Sequence, residues 1–284
     1  MERIVYVNGA FVPESEARIS VFDRGFLFAD AVYEVTPVLG GKLIENPGHM
    51  KRLQRSLDEM KMTSPTPVSD IPALMKQLVA RNAVEEGTVY LQVSRGAADR
   101  DFAFPKHAEP SLVMFTQSRP LIDAAPARDG VRVISAPDIR WARRDIKTVQ
   151  LLAASLMKQA AKEAGADDAW MVEDGYVTEG TSNNAYIVTR AGVIVTRQLS
   201  NAILHGITRA SVLRLAAEAQ MAVEERPFTI AEAQDAAEAF YTSASAFVTP
   251  VVAIDGAPVG DGKPGPVAKR LREIYLEMAL EVAE

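Results

Sequence analysis

The spacing of apolar and polar positions changes along the chain, and each change marks an element. Arg3–Val7 and Ala10–Val12 are short apolar runs separated by Asn8-Gly9, a dipeptide that accepts the left-handed backbone of a two-residue hairpin. Val32–Leu39 and Lys42–Ile44 flank Gly40-Gly41 in the same way. Strand alternation puts Tyr33 and Val35 on one face of that run, and Val32 and Glu34 on the other. Then the period lengthens. Asn46-Pro47 reads as a helix cap followed by a first-turn proline, and Met50, Leu53, Leu57 and Met60 form an apolar stripe behind it. Arg52 borders this stripe, placed either to turn its head inward or to snorkel at the surface. A second helix is predicted from near Ile71 to Ala83, stopping at Gly87. Strands at Thr88–Ser94 and Ser111–Gln117 enclose a long loop with Arg95 and Arg100, two side chains suited to bidentate capture of a carboxylate.

Ser118–Gly130 holds Pro120 and Pro126 and lacks periodicity, so it reads as a linker. The expected division is 1–118, a smaller N-terminal domain; 119–130, linker; and 131–284, a larger C-terminal domain. After a strand at Val131–Ser135, a helix is predicted from Thr148 to Ala164, with Val149, Leu152, Leu156, Ala160 and Ala164 as its stripe and Gly165 as its stop. Lys147 stands at its entrance. A hairpin follows, with its turn at Asp174-Gly175, and ends at Thr178-Glu179-Gly180. Lys147 and Glu179 thus sit at element ends, where a scaffold can aim them. Another hairpin is predicted around Ala191-Gly192. Leu204-His205-Gly206-Ile207-Thr208 leads into a helix from Arg209 to about Gln220. A glycine turn entering a helix is a good anion site, although Thr208 equally suits a plain N-cap. Thr242-Ser243-Ala244-Ser245 forms a second small-residue turn, and an amphipathic helix closes the chain.

Composition narrows the chemistry. The 284 residues are 48% hydrophobic and 24% charged, with a net charge of −6, which fits a globular protein and disfavours nucleic acid as partner. There is no cysteine, which excludes disulfides, thiolate zinc sites and a cysteine nucleophile, and the three histidines lack metal-ligand spacing. No apolar run is long enough to cross a membrane, and the start lacks a signal core, so a cytoplasmic enzyme or binding protein is expected. There is no Walker loop and no GxGxxG.

The ordered set DRG…YEV, His49-x-x-Arg52-Leu53, Arg95-Gly96…Arg100, Asp145-Ile146-Lys147, Thr178-Glu179-Gly180, Gly206-Ile207-Thr208 and Thr242-Ser243 spans almost the whole chain. It resembles the fold-type IV aminotransferases, most closely their D-amino acid aminotransferase branch. The resemblance implies an α+β fold of two domains with pyridoxal 5′-phosphate (PLP) at the domain interface. Lys147 would carry PLP as a Schiff base and Glu179 would face the pyridine nitrogen. Arg52, Ile207, Thr208, Ser243 and Ala244 would hold the phosphate, with Leu204 against the ring. Tyr33, Val35, Arg100, Phe102 and Ser182 would line the substrate pocket. The branch typically carries an R-x-H pair on the loop, whereas this chain reads Arg100-Asp101-Phe102, losing a donor and gaining apolar surface. Asp101 adjoins Arg100 and is a candidate to pair with it. The implied reaction is ping-pong transfer of an amino group from a D-amino acid to 2-oxoglutarate or pyruvate through pyridoxamine phosphate, in a homodimer without a metal. A branched-chain L-amino acid or (R)-amine transaminase is the alternative, with an aminodeoxychorismate-type lyase below it.

Overall fold

In the computed structural model, which describes residues 2–283, the chain divides into two units. One runs to Pro120 and takes in Ile146–Gln150 and the chain from Val282; the other comprises Leu121–Asp145 and Leu151–Glu281.

The first unit contains β1 (Ile4–Val7), β2 (Ala10–Pro13), α1 (Arg24–Phe28), β3 (Ala31–Leu39), β4 (Lys42–Leu43), α2 (Asn46–Glu59), α3 (Ile71–Arg81), β5 (Glu86–Ser94) and β6 (Ser111–Ser118). Its six strands form one antiparallel sheet in the order β2-β1-β6-β5-β3-β4. Asn8 and Gly9 take φ of 46° and 97°, and Gly40 and Gly41 take 57° and 73°, which are the positive angles that let two residues reverse the chain. On β3 the alternation holds: Val32, Glu34 and Thr36 are buried, while Tyr33 and Val35 are half-buried. Met50, Leu53 and Leu57 are buried on α2.

Two details of this unit differ from the sequence expectation. Asn46 is not the cap of α2; Glu45 occupies that position with φ 52°. Asn46 is buried in the first turn, where its Oδ1 accepts from Thr36 Oγ1 on β3 at 3.4 Å, a partner that a capping side chain would forgo. Gly87 does not stop α3, which ends at Arg81. It lies inside β5, where a Cβ would stand 2.1 Å from the Gln117 carbonyl oxygen, so the close approach of β6 is what requires glycine.

The second unit contains α4 (Ala125–Asp129), β7 (Val131–Pro137), α5 (Leu152–Glu163), β8 (Asp168–Glu173), β9 (Tyr176–Gly180), β10 (Asn184–Val188), β11 (Ile194–Thr196), α6 (Ile207–Glu218), β12 (Val223–Glu225), α7 (Ile230–Asp235), β13 (Glu238–Ser243), β14 (Phe247–Ile254), β15 (Ala257–Pro258) and α8 (Pro266–Glu281). Its sheet has the order β12-β11-β10-β13-β14-β7-β8-β9, with β15 beside β14. The β14–β7, β7–β8 and β11–β12 pairs are parallel, and the rest are antiparallel. Trp170, Val177, Ile187, Val195, Phe228 and Val251 pack into one core. Trp170 and Phe228 meet edge-on at 5.9 Å, and each such side chain contributes about 1.5–3 kcal/mol on burial. The stretch 119–130 carries α4, and Arg272 of α8 donates to the carbonyls of Leu121 and Ile122 at 2.6 and 2.9 Å.

Helix α5 is shorter and turned differently from its predicted stripe. It begins at Leu152, and Leu152 and Leu156 are 74% and 50% exposed. Its buried face is Ala154 and Ala161 instead, and Met157, Ile134 and Ala136 pack against the cluster of Ala161, Ala166 and Ala169. Alanines let the helix lie close on β7 and β8, and the leucines point away. Among the described residues no helix is long and apolar enough to cross a membrane.

Candidate active site

Lys147 belongs to the first unit and sits on an extended segment, not at a helix entrance. Tyr33 N donates to Lys147 O at 3.0 Å, Val149 N donates to Ala31 O at 3.1 Å, and Thr148 bridges Val32. This backbone pairing lays the segment along the edge of β3 and fixes where the lysine emerges. Its Nζ stands 4.2 Å from the centre of the Tyr33 ring. Tyr33 stacks on Tyr90 at 5.5 Å and Tyr90 on Phe115 at 4.7 Å, and Tyr90 Oη donates to Gln92 Oε1 at 2.9 Å. Burial, aided by Tyr33, pushes the Tyr90 phenol up, so it stays a neutral donor. Val35 shares the half-buried face with Tyr33 and pairs opposite Tyr90.

The other face of β3 carries a buried charge cluster. Arg52 donates through Nε and Nη2 to the two oxygens of Glu34 at 2.8 and 2.7 Å, and His49 Nδ1 lies 2.7 Å from Glu34 Oε2. Burial alone would push the Glu34 carboxyl up, but Arg52 and His49 overrule it and bring it to about 2. Arg52 is therefore an inward arginine, not a surface one. Sequence reasoning missed Glu34 as its partner. The signal was present: alternation already placed a carboxylate on the buried face, where a charge needs a partner.

The 95–110 loop separates its two arginines. Arg95 grips Asp30 through Nε and Nη2 at 2.7 and 3.0 Å and donates to the carbonyls of Lys61 and Met60 at 2.9 Å each. Its donors are committed inside the unit, which removes it as a carboxylate grip. Arg24 also donates to Asp30, at 2.7 Å, and to the Asp101 carbonyl at 2.6 Å. Although burial pushes Asp30 up, Arg95 and Arg24 hold its carboxyl below the usual range. Asp101 does not pair with Arg100; its Oδ1 accepts from Ala103 N at 3.1 Å. Arg100 is exposed, with its guanidinium 5.4 and 5.5 Å from the ring centres of Phe28 and Phe102. Those rings meet edge-on at 5.6 Å, and Phe102 is 79% exposed. Aromatic faces hold a guanidinium without occupying its N–H groups.

In the second unit Glu179 ends β9 and is buried. Its Oε1 accepts from Arg140 Nη1 at 2.6 Å, its Oε2 accepts from Asn184 Nδ2 at 2.9 Å, and Leu204 N reaches both oxygens at 3.2 and 3.1 Å. Burial pushes this carboxyl up, and Arg140 and the Leu204 amide pull against it. Leu204 thus holds Glu179 through its backbone. Arg140 is itself clamped by Asp138 through Nε and Nη2 at 3.0 and 2.7 Å. Arg140 and Asp138 carried no sequence signal, because neither their spacing nor their type sets them apart, whereas Asn184 is the closing residue of the pattern Thr178-Glu179-Gly180-Thr181-x-x-Asn184.

Gly206 is the N-cap of α6 and offers no side-chain cap, so Thr208 lies inside the first turn and is not a plain cap. A Cβ at Gly206 would fall 2.1 Å from Asn184 Oδ1, which keeps this corner bare. Thr208 is buried and its Oγ1 has no partner. Ser243 ends β13, and both it and Ala244 are half-buried. Ser182 is exposed between β9 and β10, flanked by the buried Thr181 and Asn183.

A fold of this kind, with a lysine on a β-paired segment and a buried, hydrogen-bonded glutamate, has clear relatives. The family described as amino-transferase class IV matches residues 31–254, and the chain belongs to it. D-alanine aminotransferase of Staphylococcus aureus (strain COL) is 40% identical over 276 residues, 96% of each chain. That of Bacillus licheniformis is 38% identical over 270 residues, 94% of each. Among solved structures, a T.th. branched-chain amino acid aminotransferase with pyridoxamine 5′-phosphate is 29% identical, covering 98% of this chain and 94% of its own, with a TM-score of 0.90. The Escherichia coli branched-chain amino acid aminotransferase, 20% identical, shares the fold with a TM-score of 0.88, covering 98% of this chain and 95% of its own.

The chain is a PLP-dependent aminotransferase of the α+β, fold-type IV kind. Its residues fit the cofactor. The orphaned Thr208 hydroxyl, beside a bare glycine corner and free helix N–H groups, suits a phosphate oxygen.

Proposed function

We propose that the enzyme moves an amino group from a D-amino acid such as D-alanine to 2-oxoglutarate or pyruvate. The full-length kinship with D-alanine aminotransferases carries the choice of donor. Arg52, Ile207, Thr208, Ser243 and Ala244 would hold the cofactor phosphate, Leu204 its ring, Glu179 its ring nitrogen and Lys147 its reactive carbon. Bound PLP supplies an electron sink for the charge left when the substrate Cα loses its proton. Lys147 Nζ takes that proton as general base and returns it as general acid. The Nζ stands beside the Tyr33 ring, a residue of the substrate pocket in this reading. Tyr33, Val35, Phe102 and Ser182 would line the substrate, and Arg100, with its donors uncommitted, would meet the carboxylate.

The same reading includes a homodimer. Phe22, Phe26, Phe102 and Phe104 are exposed, and the loops that bear them are tied together by Ala98 N to Phe22 O and Arg24 to Asp101 O. A monomer rarely exposes such a patch. Sedimentation that finds only monomer at micromolar concentration would remove this part of the reading.

The test of substrate class follows the cofactor's absorbance as the enzyme meets one donor at a time. D-alanine is expected to convert the cofactor rapidly, with L-leucine and (R)-1-phenylethylamine slow. Arg100→Ala should raise KM for D-alanine by about tenfold to a hundredfold, as expected for losing a charged hydrogen bond, and leave the amine unaffected. A second reading, a branched-chain L-amino acid or (R)-amine transaminase, is favoured by the exposed Phe102 where the branch has histidine. Preferential conversion with L-leucine or the amine would establish it instead.

A further inference from the structure

Glu179 lies where burial works against its charge. Only 3% of its surface is exposed, and burial is the largest influence on its carboxyl, raising it. A carboxylate can keep a proton on a ring nitrogen only while it is itself ionised. Asn184 Nδ2 and Leu204 N give it neutral hydrogen bonds, and Arg140 Nη1 at 2.6 Å gives it the one cation it touches among the described residues.

The arginine is unusually constrained. Its Nε and Nη2 are fixed in a two-point fork on Asp138, and its Nη1 is left to point at Glu179. Asp138 is itself held by Thr178 Oγ1 at 2.6 Å and lies 3.5 Å from Arg144 Nε. Arg144 in turn pairs with Glu173 at 2.7 Å. The five groups Asp138, Arg140, Arg144, Glu173 and Glu179 carry three negative and two positive charges, and Arg197 lies within electrostatic reach of Glu173. Arg140 is the cation in contact with Glu179 itself, so without it burial would favour protonating Glu179.

We propose that Arg140 is a positioning residue that keeps Glu179 ionised and aimed, with Asp138 holding Arg140 in place. This rests on the reading of Glu179 as the ring-nitrogen partner. Arg140 donates a hydrogen bond and a charge and transfers no proton itself.

The test combines infrared spectroscopy with kinetics. Enzyme carrying carbon-13-labelled glutamate is compared with its Arg140→Met variant near neutral pH. Arg140→Met is expected to gain a protonated carboxylic C=O band that disappears when Glu179→Gln is added. Its kcat should fall with little change in KM, by about tenfold for each unit that Glu179 rises past the working pH. Arg140→Lys, which keeps the cation, should show no band and recover most of kcat. It also serves if Arg140→Met does not fold. A merely structural arginine would lower the Tm of Arg140→Met and leave Glu179 ionised. That result, or an Arg140→Lys enzyme with ionised Glu179 and kcat as low as that of Arg140→Met, would overturn the proposal. Glu179→Gln alone checks the underlying reading. Unchanged turnover there would show that Glu179 does not serve the ring nitrogen, while the infrared band would still report on Arg140.

Discussion

Lys147→Ala should abolish transamination and leave the fold intact. The lysine side chain is half-buried, and its Nζ faces the Tyr33 ring at 4.2 Å. What anchors the segment is backbone: Lys147 O accepts from Tyr33 N, and Val149 N donates to Ala31 O. Alanine keeps both bonds. The chemistry is another matter. On the proposed reading of Lys147 as proton carrier and cofactor attachment, general acid–base catalysis by one positioned side chain is worth about 10²–10⁴-fold, and loss of the attachment would add to this. The fall in kcat with D-alanine and 2-oxoglutarate should therefore exceed about a thousandfold, with thermal unfolding within a few degrees of the parent. Turnover within tenfold of the parent would mean that the proton is moved elsewhere.

The second large effect is on stability. Glu34→Gln removes the carboxylate charge that the buried Arg52 meets through Nε and Nη2, and breaking a buried pair in this way costs about 3–5 kcal/mol. The sign of the pH dependence follows from the direction of the shift. The Glu34 carboxyl is lowered from its ordinary 4.5 to about 2 in the folded state, so its stabilisation is present above about 4.5. It is lost progressively as pH falls from there through about 2. A shift of that size corresponds to about 3 kcal/mol. Chemical denaturation of parent and variant across this range should show a wide stability gap near neutral pH that closes toward pH 2. A gap that stays constant would mean that the charge on Glu34 contributes nothing to the fold.

Both predictions depend on pairings that the sequence reveals only in part. The two-residue turns at Asn8-Gly9 and Asp174-Gly175 were legible because their chemistry is local, and both pairs take positive φ. The alternation on β3 was legible for the same reason. Motifs singled out Lys147 and Glu179, and the structure puts the lysine on an extended segment rather than at a helix start. The stripe on α5 was misread because periodicity shows that a helix has an apolar side, not which apolar residues fit the sheet. Close packing on β7 and β8 selected Ala154 and Ala161 over Leu152 and Leu156.

What the sequence determined by itself is a class of chemistry and a set of elements: hairpins at glycine turns, amphipathic helices, one lysine, one glutamate and a glycine–threonine corner. These depend on residue type and on neighbours within a few positions. The tertiary structure decided which charges meet. Arg52 finds Glu34 18 residues away, Arg140 finds Glu179 across 39, and Arg95 is committed to Asp30 across 65, while Arg100 on the same loop stands against Phe28 and Phe102. Buried charges must be paired wherever the fold places them, and sequence distance carries no record of that placement.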